Sequence, residues 1–262
     1  MNKLETTTIN SAEKGASVAA ELFESDLQIN TKSSKLDFVT NADLESQSEI
    51  KKSITSVYSP EQIICEEGDS KNYIEKSRNY WTIDPIDGTS NFVAGNPFWA
   101  TSVAAIRNNE TKAAATIAPA LSEKYTICND RTFYNGERAT VSNKNELDEF
   151  TVAAILRYGT ELDEEFSDLL KHSLLEFGDL RRLGSAQLTL GLVARGALDA
   201  CFAIQPDPNP WDTIAGVKFV RQAGGEVTDL HDDPWSPDSC GLIATNGNAQ
   251  EKIQRKLNHW FP

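Results

Sequence analysis

The 262 residues carry 39 Asp and Glu against 25 Lys and Arg, a formal charge of −14. That balance excludes a nucleic-acid coat, and 39% hydrophobic residues are enough for packed cores, which excludes a wholly disordered chain. No run approaches the ~20 apolar residues of a membrane-spanning helix and the first ten residues lack a basic stretch leading into an apolar one, so the expectation is a cytoplasmic protein with no membrane or nucleic-acid partner.

In chain order, Ile9, Ala12, Ala16, Ala19, Ala20 and Phe23 recur at helical spacing, which predicts an amphipathic helix. A second helix follows Asp43, with Ile50, Ile54 and Val57 on its inner face. Short apolar β-rich runs then occupy residues 63–65, 80–83, 99–106, 113–117 and 125–128, ending in the turn Tyr134-Asn135-Gly136. From residue 152 strands and helices alternate: a strand at 152–156, a helix holding Leu162, Phe166, Leu169, Leu170 and Leu174, a strand at 179–183 and a helix at 185–195. A strand at 200–204, a helix at 212–223 closed by Gly224 and Gly225, strands at 226–228 and 242–245 and a helix from Ala249 complete the pattern. The two textures meet near residue 140, which predicts an N-terminal α+β half (1–140) and a C-terminal α/β half (141–262) in one unit, as two sheets with helices between and outside them.

Cys65, Cys128, Cys201 and Cys240 show no CxxC spacing, and His172, His231 and His259 never pair at zinc-site intervals, so zinc and thiol chemistry are not expected. The acid excess reads as a solvated surface or as adaptation to high salt, and either way an anionic substrate needs local positive charge. A bound divalent cation would supply it.

Three segments place carboxylates beside tight turns. Cys65-Glu66-Glu67-Gly68 ends an apolar run, and alone reads as a solvated exit turn. In Trp81-Thr82-Ile83-Asp84-Pro85-Ile86-Asp87-Gly88-Thr89-Ser90-Asn91-Phe92, Asp84 leaves a strand, Pro85 blocks further sheet pairing, and Asp87 returns three residues later with the Ile86 carbonyl between. Two carboxylates and a carbonyl form a hard oxygen site suited to Mg²⁺, since like charges so close repel without a cation. Gly88, Thr89 and Ser90 then offer backbone N–H groups to a phosphate where a helix can begin. The bland alternative is an Asp-Pro and Asp-Gly turn with a helix cap. Pro210-Trp211-Asp212-Thr213-Ile214-Ala215-Gly216 opens an apolar helix; its Asp212 alone reads as an N-cap, and small Ala215 and Gly216 allow another backbone close.

DPIDGTSNF and WDTIAG resemble the signatures of the inositol monophosphatase family of Mg²⁺-dependent, lithium-sensitive phosphatases. The EEG segment, Lys32-Ser33-Ser34 with the 37–43 string, the Asn135-Gly136 turn and Leu183-Gly184-Ser185-Ala186 follow in the family's order, so the resemblance spans nearly the whole chain. It implies a layered α-β-α-β-α sandwich of the sugar phosphatase type, of mixed α+β and α/β character, commonly a homodimer acting on a small-molecule phosphate ester. It also implies two to three Mg²⁺ ions: Glu66, Asp84 and the Ile86 carbonyl for one, Asp84, Asp87 and Asp212 for a second, and Glu66 near a weaker third. Thr89, oriented by Asp43, would help position and deprotonate the attacking water, with Glu66 in the catalytic set. The substrate set it implies is Gly88, Thr89, Ser90, Gly184, Ser185, Ala186, Gln205 and Asp212. The bland reading of Asp43 is an N-cap.

Two departures bear on substrate. Inositol-specific relatives usually carry a glutamate seven residues before the WD aspartate, where this chain has Gln205, followed by the stiff Pro206-Asp207-Pro208-Asn209-Pro210. The segment 125–133 lacks the Gly-rich pattern expected of relatives. Arg181 and Arg182 read as substrate or dimer contacts, or as solvated charges at a strand edge. The leading expectation is an inositol monophosphatase-like phosphomonoesterase, with fructose-1,6-bisphosphatase or histidinol-phosphatase as alternatives and a non-catalytic binding or regulatory module as the reading from another class.

Overall fold

The central strands are apolar on both faces, and the computed structural model accounts for this by packing helices on both faces of its two larger sheets. It describes residues 1–25, 27–31, 38–58, 62–68, 78–156, 171–204, 209–239 and 241–260. Helix α1 (Lys3–Leu22) and α2 (Asn41–Thr55) flank a two-stranded ribbon of β1 (Ile29–Thr31) and β2 (Phe38–Thr40), which the sequence pattern had not signalled. A seven-stranded sheet follows: β3 (Ile63–Cys65), β4 (Tyr80–Asp87), β5 (Ala100–Arg107), β6 (Glu110–Ala118), β7 (Glu123–Cys128), β8 (Arg131–Tyr134) and β9 (Glu137–Arg138), in that spatial order. It is antiparallel except where β3 runs parallel to β4.

The second sheet has β10 (Thr151–Leu156), β11 (Asp179–Arg181), β12 (Ala200–Ile204), β13 (Glu226–Thr228) and β14 (Gly241–Thr245) in the order 11-10-12-14-13. The helices are α3 (Thr89–Val93), α4 (Ala186–Ala194), α5 (Pro210–Gln222) and α6 (Gln250–Trp260). Residues 171–176 are also helical, while the predicted Leu162, Phe166, Leu169 and Leu170 lie outside the described residues.

Alternation along each strand sorts side chains into separate cores, because successive residues point to opposite faces. From β4 and β5, Trp81, Ile83 and Val103 pack against Ile9, Ala12, Ile50 and Ile54 of α1 and α2. On the other face Tyr80, Ala104 and Ile106 join Leu188, Leu190, Phe219 and Val220 of α4 and α5, together with Cys201 and Ala203 of β12. The opposite face of the second sheet, Val152, Phe202 and Ile243, packs on Phe177 and on Ile253 of α6. The layers are therefore α-β-α-β-α, with α4 and α5 shared between the sheets.

The turns that lacked glycine are built without it. Cys128 pairs with Arg131 across Asn129-Asp130, whose φ values are 49° and 55°, and Arg107 pairs with Glu110 across Asn108-Asn109 at 54° and 64°. Asn and Asp tolerate this left-handed region, which two-residue hairpins require. The departure in 125–133 thus leaves a tight hairpin intact.

Candidate active site

Expectation and structure differ first at Pro85. The strand does not stop there: β4 runs to Asp87, with a register shift in which Asp84 opposes Ser102 and Asp87 opposes Ala100. Three steps on β4 face two on β5, a β-bulge. In a regular strand residues three apart point to opposite faces; the extra residue turns Asp84 and Asp87 toward one cleft. The bulge is pinned by Thr101 Oγ1, which donates to the Pro85 carbonyl at 2.8 Å.

Beyond Asp87 the chain turns at Gly88, whose φ of 95° suits glycine. A Cβ there would stand 3.1 Å from both the Gly184 and Phe98 carbonyl oxygens. Asn91 Nδ2 ties the turn down by donating to Phe98 O (2.7 Å) and Leu183 O (2.8 Å), while Phe92 packs edge-on against Trp99. The DGTSNF string is thus held to the loop before α4 from both sides.

The cleft, about 140 Å³, is lined by Glu66, Asp84, Asp87 and Asp212, with Gly88, Thr89, Ser90, Gly184, Ser185 and Ala186 around them. Among the described residues no three His, Cys, Asp or Glu side chains converge as a closed cation cage, although the Glu66 carboxyl lies close enough to Asp84 to hydrogen-bond with it. Asp84 and Asp87 are buried. Burial, reinforced by the charges of Glu66, Asp87 and Asp212, pushes the Asp84 carboxyl well above the ordinary carboxylate range, and its Oδ1 has no hydrogen-bond partner. Burial also pushes Asp87 up to about 6, against the pull of bonds from Ser185, Ala186 and Gln187. An orphaned, desolvated carboxylate oxygen among three further carboxylates is the donor set of a hard divalent cation, so these residues fit Mg²⁺.

Asp212 sits in the first turn of α5, which begins two residues earlier than its sequence pattern predicts, with Pro210 at the first helical position and Asn209 as N-cap. The N-cap reading of Asp212 is therefore replaced: its carboxylate accepts from Asn209 Nδ2 at 3.3 Å and faces the cleft. Asp43 is likewise not the N-cap of α2. Thr40 is, and Asp43 Oδ2 returns to accept from Thr40 N–H (2.8 Å) and Oγ1 (2.7 Å) in a capping box. Asp43 Oδ1 is left to meet Thr89 Oγ1 at 3.3 Å, which also lies 3.0 Å from the Ile86 carbonyl. One hydroxyl proton serves one acceptor at a time, so Thr89 can turn between them.

At the opposite wall, Ser185 caps α4 and its hydroxyl donates to Asp87 Oδ2, while the Ala186 N–H donates to Asp87 Oδ1 at 2.9 Å. The donors of these two predicted substrate residues are directed at Asp87. Gln205 lies outside the described residues; Arg182 lines the cleft and Arg181 pairs with Asp179. The sequence pattern gave no warning of Gln47, whose amide bonds both the N–H and the carbonyl of Glu67 (3.2 and 2.7 Å) and so fixes the loop carrying Glu66. It missed Asn91, Asn209 and Gln187 as well, although two of these lie within or beside the motifs.

Residues 1–260 match the Inositol monophosphatase family. The chain belongs to that family. It is 35% identical over 223 residues, 85% of this chain and 83% of the relative, to a protein of Thermotoga maritima named fructose-1,6-bisphosphatase/inositol-1-monophosphatase. It is also 32% identical to a Nus factor SuhB of Pasteurella multocida, covering 98% of this chain and 96% of that one. Among solved structures, the Thermotoga maritima IMPase superposes with a TM-score of 0.87 at 30% identity, covering 100% of this chain and 98% of that one. The extragenic suppressor protein suhB of Bartonella henselae gives 0.89 at 26% identity, covering 98% of each. This inositol monophosphatase family member thus has the layered fold of its structural neighbours.

Proposed function

We propose that the protein hydrolyses a small phosphate monoester with Mg²⁺, inositol monophosphate first and fructose 1,6-bisphosphate second. The observation that carries this reading is the unpartnered Oδ1 of buried Asp84, beside buried Asp87 and half-buried Glu66 and Asp212, opening onto the Gly88-Thr89 turn. Glu66, Asp84 and the Ile86 carbonyl would hold one ion, Asp84, Asp87 and Asp212 a second, and Glu66 would stand near a weaker third. Bound there, Mg²⁺ supplies an acidified water and neutralises charge on the phosphate and the leaving oxygen. The chain's own part is positional: the Gly88 and Thr89 amides with Ser90 take phosphate oxygens, and the Thr89 hydroxyl, backed by Asp43, accepts and passes on a proton from the attacking water. Gly184, Ser185, Ala186, Gln205 and Asp212 complete the proposed substrate wall. The double name of the Thermotoga relative supports a site that takes both polyol and sugar phosphates. The location we propose is the cytoplasm, consistent with Cys128 and Cys201 forming no disulfide among the described residues. No helix among the described residues is long and apolar enough to cross a membrane.

The test is phosphate release from inositol 1-phosphate, fructose 1,6-bisphosphate, histidinol phosphate and 3′-phosphoadenosine 5′-phosphate, with and without Mg²⁺ and with Li⁺ as inhibitor. One dominant Mg²⁺-dependent substrate names the enzyme, and turnover of several fits the neutral Gln205. Silence on all four favours the second reading, a partner-binding factor, for which the support is the resemblance to the Pasteurella Nus factor SuhB.

A stability prediction follows from the raised carboxyls. A folded-state pKa above the unfolded one gives a stabilising contribution that is complete below the ordinary 3.8 and lost as pH rises through about 6 for Asp87. Mg²⁺ binds the ionised forms and reverses this loss, so saturating Mg²⁺ should raise Tm by several degrees more near pH 7.5 than near pH 5.5. Equal rises at both pH values in thermal scans would contradict it.

A further inference from the structure

Gln187 is wholly buried among apolar neighbours in α4, two residues beyond Ser185. An amide in such a place is costly unless its polar atoms are bonded, and packing alone would be served by an aliphatic side chain. Its backbone N–H donates to Asp87 Oδ2 at 2.7 Å. Its side-chain Nε2 donates to the Trp211 carbonyl at 2.6 Å, and its Oε1 accepts from the Gly216 N–H at 2.7 Å. Trp211 and Gly216 bracket Asp212 on α5. One residue therefore grips a carboxylate delivered by β4 and the backbone on either side of a carboxylate delivered by α5.

Gly216 makes the grip possible. A Cβ at that position would fall 2.5 Å from Leu190 Cβ and 3.0 Å from Gln187 Oε1, so any larger residue would push α5 away from α4. Where small residues were expected to admit another backbone, the atoms that come close at Gly216 are the side chains of Leu190 and Gln187.

We propose that Gln187 is the positioning residue that sets Asp87 against Asp212 across the cleft. This rests on the reading of those two carboxylates as Mg²⁺ ligands. Asp212 accepts from Asn209 within its own helix turn, and Gln187 joins Asp87, through its backbone N–H, to the Asp212 helix, through its side-chain amide. Partners that orient ligands typically change metal affinity 10–100-fold when removed.

The experiment titrates Mg²⁺ alone into the metal-free full chain by calorimetry, for the wild type, Gln187→Met and Gln250→Met. Met keeps length and apolar bulk. Gln250 is also buried and bonds Thr245 Oγ1 (2.8 Å) and Thr228 Oγ1 (3.1 Å) at the far end of the second sheet, so its variant matches the loss of hydrogen bonds away from the cleft. Gln187→Met should weaken Mg²⁺ binding by about tenfold or more. It should also lower kcat on inositol 1-phosphate at fixed Mg²⁺ with KM within about twofold, part of kcat returning at excess Mg²⁺. Gln250→Met should lower Tm and leave Mg²⁺ affinity unchanged. If Gln187→Met does not fold, Gln187→Asn replaces it, and the same weakening is expected because a side chain one methylene shorter cannot span both backbone groups. Wild-type affinity in the Gln187 variant, or equal weakening in both variants, overturns the positioning role while leaving the metal reading intact. No Mg²⁺ binding by the wild type itself overturns the metal reading and the inference with it.

Discussion

Asp84→Asn should reduce Mg²⁺-dependent phosphate release by a factor on the order of 10³ or more, while the metal-free protein becomes more stable than the wild type at neutral pH. Both effects have one cause. The Asp84 carboxyl is buried, is pushed upward first by desolvation and then by the charges of Glu66, Asp87 and Asp212, and leaves Oδ1 without a partner. An amide has nearly the same shape and no charge, so it removes repulsion that the apo fold must carry and also removes the shared anionic ligand that the proposed ions require. Thermal scans in chelator, calorimetric Mg²⁺ titration and phosphate release read the three consequences separately. Substantial residual turnover in a folded variant would sink the metal assignment; a lowered apo Tm would mean that Asp84 is a structural partner instead.

Much of this site is legible in the sequence because its parts are local. Asp84, Asp87, Gly88 and Thr89 lie within a span of six positions, and the one-residue bulge that aims both carboxylates the same way is encoded by the Asp-Pro step within it. What the sequence conceals is convergence. Glu66 reaches the cleft only because β3 lies parallel beside β4, and Asp212 only because α5 is shared between two sheets. Such adjacency depends on strand order, which no residue pattern within either segment states. The same holds for Asp43: its place three residues into the capping box follows from Thr40, but its contact with Thr89 spans 46 positions. Buried glutamines are harder still, since Gln47 looks like a polar residue on an amphipathic helix and Gln187 like a lone polar residue in an apolar one until their partners are in place. The Asn129-Asp130 hairpin shows the opposite error, in which an expected glycine was absent yet the residues present adopt the required left-handed backbone.

Thr89 and Asp43 should behave as one unit, with Thr89→Val and Asp43→Asn each lowering kcat by about 10² to 10³ and the double variant losing little more than the worse single. The carboxylate of Asp43 uses both oxygens: Oδ2 accepts from the Thr40 N–H and hydroxyl, and Oδ1 faces the Thr89 hydroxyl. Asparagine offers a single oxygen. The Thr40 N–H can only donate, so that oxygen is retained by the helix cap, and the new NH₂ group turns toward Thr89. Thr89 must then accept from it, and its own proton is directed to the Ile86 carbonyl, 3.0 Å away. The hydroxyl remains in place but no longer leads toward a base, which is why the loss should appear in kcat with KM nearly unchanged. Thr89→Val removes the hydroxyl and leaves Asp43 with nothing to orient, so adding the second change removes no further function. Steady-state kinetics on the four proteins give the coupling directly. Multiplied losses in the double variant would show that Thr89 and Asp43 contribute independently, and would overturn the pairing of the two.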